Sequence, residues 1–250
     1  MDAPGSTEGD HAVALDVAAV RHRKMEATQH LLGATIRLSD QEWQAPSLLP
    51  GWTRAHVATH LARNADGLRR VLRGYLDGLP VGMYDSEQQR ERQIERGSER
   101  QGLDLQIDLD TSAGALSETM AEVLALPRER LADGINLRPG ITVPVGFVPL
   151  ARLSEVVLHC VDLGVGYRIR DIEPDIARWA LEWHTYRLAD RDTLPVLEIT
   201  SSSGLKATIG QLGEPTRVQG SDRDLVGWLT GRSDGSGVAG SDDVVLPLVG

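Results

Sequence analysis

Two stretches of this chain read as buried helices, and each carries polar groups that dry surroundings do not accept unpaired. The run ArgLeuSerGluValValLeuHisCysValAspLeuGly, residues 152–164, is largely apolar, and Glu155 and His159 stand four residues apart within it. Side chains at that spacing lie one above the other on the same helix face, so both can address one point. The second run, GWTRAHVATHLARNADGL, sets Val57, Leu61, Ala65 and Leu68 at helical spacing and places His60 beside that stripe. Burying an unpaired carboxylate or imidazole is costly. If the two helices pack so that His60, Glu155 and His159 share one divalent cation, all three are satisfied. Two imidazoles and one carboxylate also leave a coordination position open, as a catalytic metal requires. His56 lies four residues before His60 on the same face, so at this level either or both histidines are candidates.

The rest of the chain supplies a frame for these helices. A small, polar and acidic lead-in over 1–11 is expected to be flexible, and a helical pattern follows from about Ala12 to Leu38. SerAspGlnGluTrp and ProSerLeuLeuProGlyTrp form a turn-rich connector. Thr53 is placed to cap the His60 helix, which should run to about Leu76, and Trp52 to pack against it. SEQQRERQIERG, between Asp85 and Gly97, reads as a solvated charged helix face. A third long helix is expected over 111–126, where Pro127 stops it. A hairpin or an extended excursion is expected around Pro139 and Gly140, the Glu155 helix over 150–167, and a further helix over 174–189 with Ile176, Trp179, Ala180 and Trp183 facing inward.

Beyond 191–194 the pattern changes to short strand-like pieces: ValLeuGluIleThrSer, LeuLysAlaThrIleGly, ThrArgValGlnGly and a last one, AspValValLeuProLeuVal. A short capped helix, SerAspArgAspLeuValGlyTrpLeuThrGly, precedes the last. The expected architecture is an up-and-down helical metal-binding domain over 12–190 followed by a small α+β domain over 194–250.

Composition narrows the function classes. The formal charge of -10 argues against nucleic acid or an anionic membrane as partner, because counterion release would not favour either. Cys160 is the only cysteine, which excludes an intrachain disulfide and a Cys-rich zinc knuckle and suggests a reducing cytoplasm. No run of about eighteen apolar residues occurs, and the first residues do not resemble a secretory leader, so a soluble, unexported protein is expected. A monomer is favoured.

GWTRAHVATHLARNADGL, MYDSEQQRERQIERGS, the segment from Arg152 to Gly164 and GSDRDLVGWLTGRSDG resemble, in this order, motifs of the mycothiol-dependent maleylpyruvate isomerases, within the DinB-like metalloprotein superfamily. The resemblance spans nearly the whole chain. It implies a four-helix DinB-like bundle followed by a small α/β C-terminal domain. It also implies zinc on His60, Glu155 and His159, with water or a thiol in the fourth position, and it leaves His56 outside the ligand set. The essential C-terminal arginine of the family falls on Arg232.

The implied reaction turns maleylpyruvate into fumarylpyruvate in gentisate breakdown. A thiolate adds to the cis double bond and leaves a rotatable single bond; rotation and expulsion of the thiolate then give the trans product. Zinc lowers the pKa of the thiol, here mycothiol, a small sugar thiol. Cys160 follows His159 directly and points about a hundred degrees away on the helix, so it is not expected to reach the metal. Arg232 is the candidate to bind a substrate carboxylate or a developing enolate oxygen. Arg90 and Tyr84 are candidates to line the cavity for thiol or substrate, with a solvated charged helix as the alternative for that segment. Asp162 is either an acceptor behind His159 or a solvent-facing acid. Two other functions use the same residues: a mycothiol S-transferase, and a non-catalytic protein whose metal only staples helices.

Overall fold

The computed structural model describes residues 16–242 and 244–246. The lead-in over 1–11 lies outside the described residues, and so do the first positions of the first expected helix. Helix α1 (Val17–Thr35) is followed by one turn, α2 (Asp40–Trp43), which Ser39 and Glu42 cap reciprocally. Helix α3 (Arg54–Leu76) starts at Thr53, whose hydroxyl accepts from the His56 amide while His56 Nδ1 reaches back to the Thr53 amide. Its expected stripe, Val57, Leu61, Ala65 and Leu68, is fully buried. α4 (Glu87–Ser98) is the charged segment. Most of it faces water as expected, but Ile94, Gly97 and Ser98 are buried against α3. Gly97 approaches Thr59 so closely that a Cβ there would clash.

α5 (Gly102–Leu124) begins nine residues before the expected start. The missed residues, LeuAspLeuGlnIleAspLeuAsp, alternate apolar and polar like a strand. The side chain of Gln101 does not cap the helix; Asp40 Oδ1, distant in sequence, accepts from the Gly102 amide at 2.7 Å. β1 (Gly134–Arg138) and β2 (Ile141–Pro144) form the expected antiparallel hairpin. α6 (Val148–Asp162) ends five residues before the expected Tyr167, because Gly164 adopts a left-handed conformation (φ 64) that closes the helix. α7 (Pro174–Leu188) buries Ile176, Ala180 and Trp183, while Trp179 is only partly covered.

β3 (Pro195–Ser201), β4 (Lys206–Ile209) and β5 (Leu212–Gly220) form a sheet in the order β4-β3-β5, with β4 antiparallel and β5 parallel to β3. α8 (Asp222–Leu229), capped by Ser221, packs on α7. The last expected strand does not form over 244–246, and its other residues lie outside the described ones. Ala239 already occupies the β5 edge by exchanging hydrogen bonds with Gln219, and Gly240 (φ 84) turns the chain.

The fold is mixed, mainly helical with two small sheets among the described residues. α3 packs along α5, α1 along α6, and α3 also meets α6. One apolar cluster joins α3, α5 and α6 to α7, β3 and α8 through residues such as Leu68, Leu153, Leu181, Leu197 and Leu225.

Candidate metal centre

The register of α3 on α6 decides which side chains meet. Arg54, at the start of α3, donates to the Leu163 carbonyl at the end of α6 at 2.8 Å. Ten residues along α3, Arg152 donates to Asn64 Oδ1 at 2.8 Å and to the Leu61 carbonyl at 2.9 Å. The helices therefore run antiparallel, and the turn of α3 carrying His60 falls against the stretch of α6 between Glu155 and His159. Arg152 is 2% exposed, and burial pushes its pKa down to about 10.

Glu155 Oε2 lies 3.2 Å from His60 Nε2 and 3.4 Å from His159 Nε2. One ligand atom from each of the three residues falls within 4.8 Å of the others, the one such group among the described residues. Around a tetrahedral ion with ligands at about 2.0–2.1 Å, neighbouring donor atoms stand roughly 3.3–3.4 Å apart. The two separations from Glu155 fit that frame.

The protonation states of His60 and Glu155 favour a cation as well. Burial, reinforced by the charge of His159, pushes the His60 pKa down to about 4, so this imidazole is neutral at pH 7. Burial works to raise Glu155, but hydrogen bonds from His159 and His60 outweigh it and hold the carboxyl well below its usual range. Burial would lower His159, yet its bonds to Asp162 and Glu155 raise it.

Behind the triad, Asp162 Oδ2 accepts from His159 Nδ1 at 2.7 Å, which leaves Nε2 to face Glu155. Of the two roles open for Asp162, the structure shows the buried acceptor; it is 1% exposed. Arg232 grips the same carboxylate with Nη2 at 2.6 Å and Nε at 3.0 Å, and its Nη1 donates to the Thr230 carbonyl at 2.9 Å. Gly231 (φ 71), just past the end of α8, turns Arg232 back toward α6. On the other flank, Arg90 Nη2 lies 3.1 Å from His60 Nδ1. A guanidinium only donates, so His60 Nδ1 accepts and the proton of the neutral ring sits on Nε2. An ion on Nε2 requires the other tautomer, so it and the Arg90 bond exclude each other.

His56 points elsewhere. Its Nδ1 serves the helix cap, and its Nε2 lies 3.2 Å from Ser98 Oγ. Trp52 stacks on His56 and tilts over His60, with ring centroids at 6.1 and 5.6 Å. Cys160 is buried on the far side of α6 beside Leu31 and Leu109, where it lines a cavity of about 660 Å³ with His30 and Tyr167. Tyr84 is half-buried, its Oη and Arg90 Nε both without hydrogen-bond partners.

Residues 24–164, more than half of the chain, match the model of the mycothiol maleylpyruvate isomerase N-terminal domain family. The chain belongs to that family. Two crystal structures of a mycothiol-dependent maleylpyruvate isomerase, one of them a His-to-Ala mutant, have the same fold as this family member. Each has a TM-score of 0.75 and 24% identity, over 93% of this chain and 95% of the other. No curated protein matches the chain. No described helix is long and apolar enough to cross a membrane.

Sequence reasoning did not single out Arg138, Arg187 or His184. Arg187 is lowered by burial and raised in part by the Glu155 charge. Burial pushes His184 down to about 3, helped by Arg187 and Arg232, and its Nε2 lies 3.0 Å from Ser154 Oγ. None of the three sits in a spacing motif. Arg152 was not singled out either, although a charge three residues before Glu155 on an apolar helix is a signal that could have found it.

Proposed function

We propose that this family member is a zinc- and mycothiol-dependent cis-trans isomerase that converts maleylpyruvate to fumarylpyruvate in gentisate breakdown. The observation that carries the reading is the convergence of His60, Glu155 and His159, which would hold an ion through three protein ligands and leave its fourth position for water or a thiol. When bound, zinc supplies a Lewis acid that keeps a thiol in its nucleophilic, deprotonated form. The ionised Glu155 provides a lone pair directly, and the neutral His60 provides one once its proton moves from Nε2 to Nδ1, without net loss of a proton at pH 7. Asp162 orients His159, and Arg232 holds Asp162 in place. The need for Arg232 in this reading starts from that positioning, and its remaining N–H groups are the ones left for a substrate oxygen. Arg90 and Tyr84 offer donors to substrate or thiol beside His60. Helices α1, α3, α5 and α6 constitute the DinB-like four-helix bundle, and the small C-terminal α/β domain after 194 contributes Arg232.

Zinc-loaded protein is incubated with maleylpyruvate with and without mycothiol, following loss of the cis substrate and the free thiol titre. Thiol-dependent turnover with full recovery of thiol is expected. One thiol consumed per turnover makes the protein an S-transferase, and no turnover under either condition refutes the reading. Cys160→Ala is expected to keep both zinc and thiol dependence, because burial pushes the thiol pKa up to about 12 and the residue lies about a hundred degrees round the helix from His159. If the variant keeps zinc and loses activity, the nucleophile is the protein's own sulfur.

A further inference from the structure

The cationic groups around the triad outnumber the anions that hold them. Arg63, Arg73 and Arg178 each pair with an acid, as befits a chain with ten more acidic than basic residues (36 against 26). Arg138 and Arg187 have no acidic partner among the described residues. Their guanidinium groups instead lie against the rings of Tyr84 and Trp183, at 5.6 and 5.7 Å. The Met83 amide bonds to the Leu137 carbonyl at 3.1 Å, which fixes Tyr84 beside Arg138 at the end of β1. Arg90 lies 5.9 Å from the same tyrosine ring.

Two donors here are buried and unmatched, Tyr84 Oη and Arg90 Nε. A buried donor without a partner costs on the order of 1–3 kcal/mol, and clustered cations add repulsion. Burial raises the Tyr84 pKa and Glu155 adds to this, while Arg138 and Arg90 oppose it. The tyrosine hydroxyl thus lies within the fields of both arginines and of the metal-ligand carboxylate. Arg187 comes from α7, which packs on α6: His184, three residues before it, has its Nε2 3.0 Å from the hydroxyl of Ser154, the residue next to Glu155. Arg232, by contrast, has its fork committed to Asp162.

We propose that Arg138 and Arg187, with the Tyr84 hydroxyl, form a carboxylate-binding subsite beside the metal triad that selects substrates with an anionic group at both ends. The inference rests on the reading of the triad as a substrate site. It adds the residues that recognise the end of the molecule remote from Arg232. A planar carboxylate matches a guanidinium fork and accepts from the hydroxyl at the same time. The stacking rings keep both guanidinium groups extended before the anion arrives, which limits the entropy lost on binding.

The test is calorimetric titration of the zinc-loaded full chain with pimelate, a saturated dicarboxylate with the chain length of maleylpyruvate, and with heptanoate, its one-carboxylate counterpart. Pimelate is expected to bind at least about tenfold more tightly, a margin charge-assisted hydrogen bonds provide. Arg138→Gln and Arg187→Gln should each remove most of that margin while zinc content stays unchanged. Arg187→Lys, which keeps the charge without the fork, should restore part of it. Equal binding of the two ligands by the wild type overturns the proposal, as does an undiminished margin in both glutamine variants. Displacement of pimelate by inorganic phosphate at equal concentration also overturns it. If pimelate preference appears without maleylpyruvate turnover, the isomerase reading fails and the subsite stands; if turnover appears without the preference, the subsite fails and the isomerase reading stands.

Discussion

Asp162→Asn tests whether the support behind the triad matters. The native carboxylate accepts three hydrogen bonds: His159 Nδ1 and Arg232 Nη2 on Oδ2, and Arg232 Nε on Oδ1. Asparagine has the same shape but only one acceptor oxygen. With that oxygen at the Oδ2 position, the amide N–H groups face the Arg232 Nε donor; in the flipped orientation they face both His159 and Arg232 Nη2. At least one donor therefore meets another donor, and the negative charge is gone in either case. Hydrogen bonds to charged groups contribute about 1.5–3 kcal/mol each, and removing one member of a buried pair costs about 3–5 kcal/mol. The Arg232 side chain is 14% exposed, so water relieves part of that loss and the lower end of the range is expected. His159 then loses its orienting acceptor, and metal affinity should fall roughly 10–100-fold. Competition with a chromophoric chelator measures that affinity, and thermal unfolding of the metal-free protein measures the stability loss. In Asp162→Asn/Arg232→Gln the two effects should sum to less than the single losses, because the residues share one network. Native zinc affinity in Asp162→Asn would refute the supporting role.

His56→Ala should destabilise the protein by about 0.5–1.5 kcal/mol through loss of its side-chain bond to the Thr53 amide, while zinc stoichiometry stays unchanged; a drop in zinc content would return His56 to the ligand set. In the metal-free protein, His60 and His184 are pushed down to about 4 and about 3 from an ordinary value of about 6.5. The unfolded chain thus binds more protons below pH 6.5. Their contribution is complete above that pH and is lost as pH falls toward 4 and 3, by up to about 1.4 kcal/mol per pH unit for each histidine. His159, raised in the fold, acts in the opposite sense: its contribution is present below pH 6.5 and is lost as pH rises through its folded value. Denaturant midpoints measured against pH should decline on the acid side and decline less in His184→Asn; a flat acid limb contradicts the assignment.

What the chain alone determined was local. Glu155 and His159 share a face because the helix repeat places residues four apart together, whatever lies outside. The same holds for the Thr53 cap, the hairpin around Pro139 and Gly140, and the three strands with the capped helix after 194. The start of α5 was not legible, because its cap comes from Asp40 and its first residues alternate like a strand. The early end of α6 depended on the conformation of Gly164. The choice between His56 and His60 could not come from their spacing, which is identical to that of Glu155 and His159. It was made by the antiparallel register of α3 on α6, fixed by Arg54 on Leu163 and Arg152 on Leu61 and Asn64. Likewise, Arg232 meets Asp162, and Arg138 and Arg187 remain without acids, only once distant elements have packed. Neighbour interactions are written in the order of residues; contacts between remote segments exist only after the core has closed and brought them together.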